Sequence, residues 1–392
     1  MSTVKATNFQ NASSATVNMV TDASGNLAFG NNITVAGNTT ITGSLVPSSS
    51  FLRNRIINGD MRVDQRNAGA SVTPGNGAYT VDRWQYSSTQ NSKFTAQQNA
   101  GSVTPPTGYS NYLGMTVAAA VTVAAGDYFF IGQAIEGFNF ADMAWGTANA
   151  KTITLSFQVY SSLTGTFGGV LTNSAQNRTY PFTYTISSAN TWTSISITIA
   201  GDTTGTWIGS TNGAGLKVWF GLGVGSTNSG TAGAWAATQY ISATGAVSVV
   251  GTLGATWYVT GVQLEVGTVA TPFERQLYSN QLAQCQRYYG KTFLSGTAPA
   301  QNIGVTASLF ACSYTVNQPI AVNWKYPATM RTTPTITTYS PDNASANWSI
   351  QGASRPTVAV QSIGDQGVSI RGTTAVLVNA SYEIHAAADA EL

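Results

Sequence analysis

Residues 216–224 read LKVWFGLGV, and this stretch decides the fold class. Hydrophobic residues stand at every second position, at 216, 218, 220, 222 and 224. Side chains of a β-strand point alternately to opposite faces, so a period of two predicts a strand with one buried face. This is the longest alternating run in the chain, and it predicts that the surrounding region is built from β-strands.

Shorter runs with the same period flank this stretch, at residues 153–159, 195–199 and 257–266. Clusters of Gly, Asn and Asp separate them, and no helical pattern of useful length interrupts them. The run at 257–266 slips by one position at Gly261, which predicts a β-bulge. We therefore predict that residues 79–273 form one all-β domain, a jelly-roll-like sandwich of about eight strands.

Charged residues make up only 8% of the 392 residues, and the formal net charge is +2. Such a chain, without a basic run, lacks the electrostatic footprint of a nucleic-acid-binding protein. One His and two Cys cannot supply the four ligands of a Cys/His zinc centre. The sequence predicts no cofactor, no metal centre and no nucleic-acid partner, while a calcium ion held by loop carboxylates stays open.

Targeting signals and cysteines add two expectations. The first twenty residues lack a charged segment followed by an apolar one, so no secretory signal is expected. The most apolar stretch, residues 117–125, is too short to cross a bilayer, so no membrane insertion is expected. Cys285 and Cys312 can pair in principle, but two buried thiols in a reducing compartment are the favoured interpretation.

Residues 1–50 contain Gly-Asn turn pairs that separate short β-prone pieces at 27–29, 33–35 and 39–42. Pieces this short cannot bury a core within one chain, and they become stable when they stack or wind with copies of themselves. We predict an N-terminal β-rich stalk or attachment segment. A flexible polar tail is the alternative.

Residues 51–78 form a charged collar in a chain that is otherwise nearly free of charge. Arginine and aspartate side chains can form bidentate pairs that link subunits or domains. A solvated surface with weak ion pairs is the alternative. The contact candidates, all within residues 53–66, are Arg53, Arg55, Asp60, Arg62, Asp64 and Arg66.

The remaining chain predicts a connector and a second β-domain. Apolar residues from Tyr278 to Tyr289 recur at helical spacing, which predicts a short connector helix over residues 274–290. Residues 291–392 return to short alternating runs, at 320–324 and 358–360, and predict a C-terminal β-sandwich tip domain. The predicted architecture is therefore all-β: stalk, central sandwich, short helix and tip.

Several motifs carry a resemblance to a known family. They are NRIINGDM (54–61), VDRW (81–84), TGVQLEVG (260–267), ATPFE (270–274) and CQRYY (285–289). Together they resemble the entry and exit of a β-sandwich domain found in tail fibres of bacteriophages and prophages. The C-terminal unit, which closes on IHAAADAEL (384–392), is similar to tip domains of the same proteins.

The resemblance implies a virion tail fibre, usually a homotrimer, with sandwiches that are similar to carbohydrate-binding modules. On this basis we expect residues 1–50 to attach to other tail, baseplate or neck proteins. The β-sandwich domains would bind a host cell-surface polysaccharide, and the fibre would be assembled in the bacterial cytoplasm. A head, neck or decoration fibre with a mainly structural role is the alternative, and a polysaccharide depolymerase is a third hypothesis.

Candidate site residues follow from the chemistry of sugars, whose apolar faces stack on aromatic rings flanked by polar side chains. The sequence has no Gly-x-Ser-x-Gly elbow, no Walker A loop and no dinucleotide-binding motif, so no catalytic residues are predicted. For the depolymerase hypothesis, Glu136 and Asp142 are the pair of carboxyls to test. The glycan-binding candidates are the loop tryptophans Trp145, Trp207, Trp235 and Trp348.

Overall fold

A computed structural model describes residues 8–9, 19–21, 27–29, 52–350, 355–372 and 379–392. By its contacts the chain divides into two units, Met1–Ser50 and Phe51–Leu392. The first unit contains a three-stranded antiparallel sheet of β1 (Asn8–Phe9), β2 (Met19–Thr21) and β3 (Leu27–Phe29). β3 coincides with the piece predicted at 27–29, while those at 33–35 and 39–42 lie outside the described residues.

The second unit begins with a β-sandwich of two antiparallel five-stranded sheets. The front sheet has the strand order β10-β9-β12-β7-β4, and the back sheet has the order β11-β8-β15-β6-β5. The all-β prediction is therefore confirmed, with ten main strands. The strands are β4 (Gln85–Ser88), β5 (Phe94–Gln98), β6 (Leu113–Val117), β7 (Tyr128–Glu136), β8 (Ile153–Ser161), β9 (Gly165–Thr172), β10 (Thr179–Ile186), β11 (Thr193–Ile199), β12 (Ala214–Val224), the two-residue β13 (Ser229–Gly230) and β14 (Ser242–Ala243), and β15 (Thr256–Val266).

The alternating run that predicted the fold is β12, at the centre of the front sheet. Its even-numbered residues from 216 to 222 are fully buried between the two sheets. Phe220 packs against Trp257 of the back sheet, with ring centroids 5.3 Å apart, and against Trp84 at 6.3 Å. Each such side chain contributes roughly 1.5–3 kcal/mol on burial, so this row holds the two sheets together.

The bulge predicted at Gly261 is confirmed. The register between β15 and β8 shifts between Thr260 and Gln263, and Gly261 has a left-handed φ of 62°. A Cβ atom at this position would lie 2.5 Å from the hydroxyl of Tyr109, so the close approach also requires glycine. The estimate of about eight strands was low because β4 and β5 have only four and five residues, too few to show a period of two.

The remaining strands form two small sheets, and among the described residues there is one α-helix. β22 lies at the centre of the larger sheet and pairs with β16, β17 and β19; the smaller sheet has the order β18-β21-β20. No helix of the described residues is long and apolar enough to span a membrane. The elements are α1 (Tyr278–Gln286), β16 (Tyr289–Lys291), β17 (Leu309–Ser313), β18 (Ile320–Lys325), β19 (Thr335–Tyr339), β20 (Val358–Gln361), β21 (Gly367–Gly372) and β22 (Ala380–Asp389); short 3₁₀ turns lie at Ala100–Ser102, Gly137–Asn139, Ala141–Met143, Ser226–Asn228 and Val249–Gly251.

The connector helix is shorter than the predicted span of residues 274–290. Its N-terminal side is extended because the carboxylate of Glu274 accepts a hydrogen bond from the backbone N–H of Asn54 at 2.6 Å. Its C-terminal side ends because Tyr289 pairs with Asp389 as part of β16. The helix buries Gln281, whose amide donates to Asp60 at 2.9 Å, a polar contact that an apolar-stripe pattern does not reveal.

A buried ion-pair network joins the collar and the sandwich to the last residues of the chain. Arg83 is only 1% exposed, and its guanidinium pairs with Glu391 and lies 3.5 Å from the ring centroid of Tyr288. Arg66 bridges Asp389 at 2.8 Å and Glu391 at 3.3 Å. The predicted domain boundaries at residues 78, 273 and 290 lie inside this second unit and stay predictions.

Replacing Glu391 by Gln should lower the free energy of unfolding by about 3 kcal/mol, since removal of one partner leaves a buried charge uncompensated. Arg66 keeps Asp389, whereas Arg83 loses its acidic partner. Urea unfolding at pH 7 measures the change.

The exposed Asp365, which forms no ion pair among the described residues, provides the control, and Asp365→Asn should change stability by less than about 0.5 kcal/mol. Equal effects of the two substitutions would contradict the proposed network.

Candidate functional site

The outward face of β12 carries the most distinctive site of the sandwich. While the even positions are buried in the core, Lys217 and Trp219 point to the opposite face of the front sheet and line an open groove. The alternation of this run predicted its buried face and not the groove on its outer face. The missed signal is a tryptophan at a position where the alternation calls for a polar residue.

The neighbouring strand β7 completes the aromatic floor in the same way. Phe129 and Ile131 are fully buried in the core, whereas Tyr128 and Phe130 face the groove. The ring of Phe130 stacks on Trp219 with centroids 4.4 Å apart, and that of Tyr128 lies 5.7 Å from Phe130. Three rings from two paired strands therefore form the floor of the groove, in which Phe130 is 5% exposed and the half-buried Tyr128 is the most open ring.

A small residue makes room for this floor. Gly132 faces the groove opposite Trp219 in the β7–β12 pairing. A Cβ atom at position 132 would lie 2.1 Å from the carbonyl oxygen of Val218 and 2.5 Å from Cδ1 of Trp219. The glycine therefore allows the indole to lie closely against the sheet.

Side-chain amides surround the floor, and the groove has a volume of about 480 Å³. Two of these amides hold each other, because Nε2 of Gln239 donates to Oε1 of Gln176 at 2.5 Å. An amide carries both donors and acceptors, so each retains atoms that can bond to a ligand. The amide residues that line the groove are Asn76, Gln85, Gln176, Asn228 and Gln239.

The indole N–H of Trp219 has no hydrogen-bond partner among the described residues. Trp219 is 7% exposed and lines the groove. Buried tryptophans normally find an acceptor for this group. Six of the nine tryptophans follow that rule: Trp84, Trp145, Trp192, Trp207, Trp235 and Trp257 each donate to another atom of the chain.

Lys217 is half-buried at the edge of the same floor. Its ammonium group lies 5.7 Å from the ring centroid of Trp219 and 3.4 Å from the carbonyl oxygen of Ser174. Burial lowers the pKa of Lys217 below its ordinary value. No carboxylate of the described residues lies within 4.0 Å of its nitrogen, although most buried cations of this unit are ion-paired.

Three of the predicted glycan-binding tryptophans are brought together in one cluster. The ring centroids of Trp145 lie 4.8 Å from Trp207 and 5.2 Å from Trp235, and the latter two are 5.5 Å apart, all nearly edge to face. Trp145 is buried, and the other two are half-buried. Their N–H groups all donate within the chain, which is typical of a packed plug at the end of a sandwich.

The fourth predicted tryptophan, Trp348, is fully buried in the core of the C-terminal sheets. Among the described residues its indole nitrogen has no hydrogen-bond partner, and its side chain is 0% exposed. Trp348 packs into this core with Trp324 and Tyr382. A sugar therefore cannot stack on this ring in the structure described here.

The predicted contact residues of the collar are all engaged within the chain. Their partners come from distant parts of the second unit as well as from the collar itself; contacts between subunits stay a prediction. Arg53 donates to the carbonyl of Pro272 at 3.1 Å, Arg55 pairs with Asp142 at 2.8 Å, Arg62 pairs with Asp60 at 2.6 Å, Asp64 accepts from the N–H groups of Asn67 and Gly69, and Arg66 binds Asp389 and Glu391.

The two carboxyls of the depolymerase hypothesis are both held in ion pairs. Glu136 accepts two hydrogen bonds from Arg287, at 2.9 and 2.5 Å, and one from the hydroxyl of Tyr288 at 2.6 Å. Burial opposes ionisation of Glu136, but these bonds outweigh it, and its pKa lies below the usual value. A general acid needs a raised pKa, so this geometry does not suit Glu136 for that role.

The described residues contain no group of three or more His, Cys, Asp or Glu side chains that could hold a metal ion. Cys285 and Cys312 are both free; the first is buried, as expected, but the second is exposed. The expectation of two buried thiols is therefore wrong for Cys312, which lies at an outward-facing position of β17.

No family model matches the chain, and no curated protein matches it. Solved structures with a partial likeness include a protein from Bacteroides thetaiotaomicron described as sugar-binding (TM-score 0.31, 13% identity, 55% of this chain and 100% of that chain). Another is a family 11 carbohydrate-binding module from Clostridium thermocellum in complex with a mixed-linked tetrasaccharide (TM-score 0.26, 10% identity, 51% and 98%). TM-scores this low do not define a family for this chain.

Replacing Glu136 by Gln should destabilise the protein by about 2 kcal/mol at pH 7, since hydrogen bonds to a charged group are lost. The pKa of Glu136 is lowered in the folded protein, so its contribution is complete above the unfolded pKa of about 4.3 and disappears as the pH falls through the folded pKa. The difference between wild type and variant in urea unfolding should therefore shrink as the pH falls below the unfolded pKa and disappear once the folded carboxyl is protonated.

Glu383 provides a control of opposite sign. Burial and the nearby Asp342 raise the pKa of Glu383, so its ionised form destabilises the fold at neutral pH. Glu383→Gln should leave the protein at least as stable as wild type at pH 7. A constant difference between wild type and Glu136→Gln from pH 7 to pH 3 would contradict the role of the ionised carboxylate.

Proposed function

We propose that the groove on the front sheet binds carbohydrate, and that the protein is an adhesive fibre subunit of a bacteriophage virion. The observation that carries the first part is the floor of Trp219, Phe130 and Tyr128 under a rim of amide side chains. The second part rests on the motifs at the entry and exit of the sandwich, which resemble those of tail fibres.

The chemistry of the groove suits a sugar better than other small ligands. A pyranose ring has apolar C–H faces that pack on aromatic rings, and hydroxyl groups at its edge that need both donors and acceptors. The floor supplies the aromatic surface, the amides supply both kinds of hydrogen-bonding atom, and the N–H of Trp219 adds a free donor. The volume of about 480 Å³ lies within the range of about 300–1,000 Å³ for ligand pockets.

A fibre would compensate for weak binding at a single groove. An open groove leaves much of a sugar in contact with water, so we expect modest affinity at each site. Three copies in one fibre would present three grooves, and linked binding events raise overall affinity without any new contact. In this proposal residues 1–50 attach the fibre to the virion, and host surface polysaccharide is the receptor.

Replacing Trp219 by Ala should weaken binding to the recognised glycan at least about tenfold, because the central ring of the floor and its free donor are lost. A glycan array of bacterial surface polysaccharides identifies the ligand, and isothermal titration calorimetry measures the affinity. Gln239→Ala, at an exposed rim position, should weaken binding by a smaller factor without affecting the core.

Trp192 offers a matched control. It is a half-buried tryptophan outside the groove, and it lies against Tyr112 and Tyr160 on the outer surface of the back sheet. Trp192→Ala should retain glycan binding, and near-native thermal unfolding of both variants would show that the fold is intact. Equal loss of binding in both variants, or unchanged binding by Trp219→Ala, would contradict the assignment of the groove.

The full chain should be a homotrimer in solution. Multi-angle light scattering of the purified protein should give three times the mass of one chain at all concentrations tested. The expectation follows from the short β-pieces of residues 1–50, which bury little surface alone, and from the resemblance to trimeric fibres. A stable monomer would contradict both the trimer and the argument from multivalency.

A further inference from the structure

The groove contains one charged side chain, and its environment is unusual for this chain. Among the lining side chains only that of Lys217 carries a charge, and the rest belong to aromatic, aliphatic, amide, hydroxyl or glycine residues, with Leu392, the last residue of the printed sequence, among them. The chain as a whole has 8% charged residues, so a cation inside an aromatic groove is not a by-product of a charged surface.

Lys217 is also poorly compensated. An ammonium group has three donors, but the one hydrogen bond that Lys217 makes with the described residues is to the carbonyl of Ser174 at 3.4 Å, beside its cation-π contact with Trp219. The buried Lys291 is better compensated than Lys217, because its ammonium group donates to three carbonyl oxygens at distances between 2.7 and 3.2 Å. A half-buried cation without a counter-ion is a feature that an anionic ligand would satisfy.

The position of Lys217 relative to the floor fits a group attached to a stacked sugar. Lys217 and Trp219 are two residues apart on one strand, so their Cβ atoms are about 6.6 Å apart on the same face. A sugar ring packed on Trp219 would place an exocyclic group of its edge within reach of the flexible lysine side chain. The amides of Gln176 and Gln239 line the same groove and can donate to the same group.

We propose that Lys217 binds a carboxylate of the recognised sugar, so that the groove selects acidic glycans such as those that contain uronic acids. The inference rests on the proposed function and names the substrate class of the same groove. One lysine matches the single charge of a carboxylate. Sulfate and phosphate esters are generally held by clusters of arginines or by helix N-termini, and neither lines the groove.

Matched ligands test the inference with the full chain. The probes are size-matched oligosaccharides of polygalacturonate, alginate and hyaluronan, each also in a carboxyl-reduced form in which –CH₂OH replaces the carboxylate. Neutral dextran and dextran sulfate oligosaccharides complete the set. Wild type should bind at least one uronate and bind its reduced form about tenfold more weakly, and added NaCl should weaken only the former.

Substitutions separate charge recognition from general damage to the groove. Lys217→Met should weaken uronate binding about tenfold and leave binding of the carboxyl-reduced form unchanged, while Lys217→Arg should retain most of the preference. Lys325 is an exposed lysine of β18 without an ion-pair partner among the described residues, so Lys325→Met should change neither.

Each alternative outcome overturns the inference in a distinguishable way. Equal binding of neutral and acidic oligosaccharides, lost in Trp219→Ala but not in Lys217→Met, would reject the acidic ligand and leave the proposed function intact. If a stably folded Lys217→Met variant bound neither the uronate nor its carboxyl-reduced form, the lysine would support the floor of the groove and would not recognise the charge of the ligand. Binding of the sulfated probe alone would reject the carboxylate. No binding of any probe by wild type would overturn the inference together with carbohydrate binding by the groove.

Discussion

The pairing of β7 with β12 is the interaction on which the rest of the sandwich depends. These two long strands lie at the centre of the front sheet, and their inward side chains, with Phe220 among them, hold the back sheet. Because side chains alternate, the same register fixes what faces outward. Phe130 and Trp219 stack there only because the pairing places β7 and β12 side by side, so core and groove are two consequences of one register.

The fold was readable from the sequence, because alternation is a local property of consecutive residues. The run at 216–224 and the slip at Gly261 gave the central strand and the bulge. The site was not readable in the same way, since its floor joins residues some ninety positions apart and its rim comes from separate loops. The loop tryptophans Trp145, Trp207 and Trp235 pack edge to face in one cluster with their N–H groups bonded to other residues, and their role in glycan binding stays a prediction. The one local signal was Trp219, a tryptophan at a position of the run where the alternation calls for a polar residue.

The few charged side chains of the second unit serve mainly to hold distant segments of that unit together. Arg83, Arg66 and Arg287 each hold a carboxylate from a distant segment, and one of these carboxylates belongs to Asp389, the residue with which Tyr289 pairs where the predicted helix gives way to β16. Such pairs carry a large desolvation cost, which the attraction between the two charges offsets. Lys217 differs from these arginines because no carboxylate of the described residues lies within 4.0 Å of its ammonium group.

Two incompletely bonded polar groups lie in the groove itself. Folding alone favours an acceptor for the N–H of Trp219 and a counter-ion for Lys217, and neither has one among the described residues. Other such atoms, the indole nitrogen of Trp348 among them, are buried in cores that a ligand cannot reach. Functional sites are where sequences break the local rules that they follow elsewhere. Because Gly132 lets the indole lie against the sheet and Phe130 stacks on it, the floor is already formed. A sugar would therefore bind without ordering these rings, and little of its binding free energy would be lost to conformational entropy.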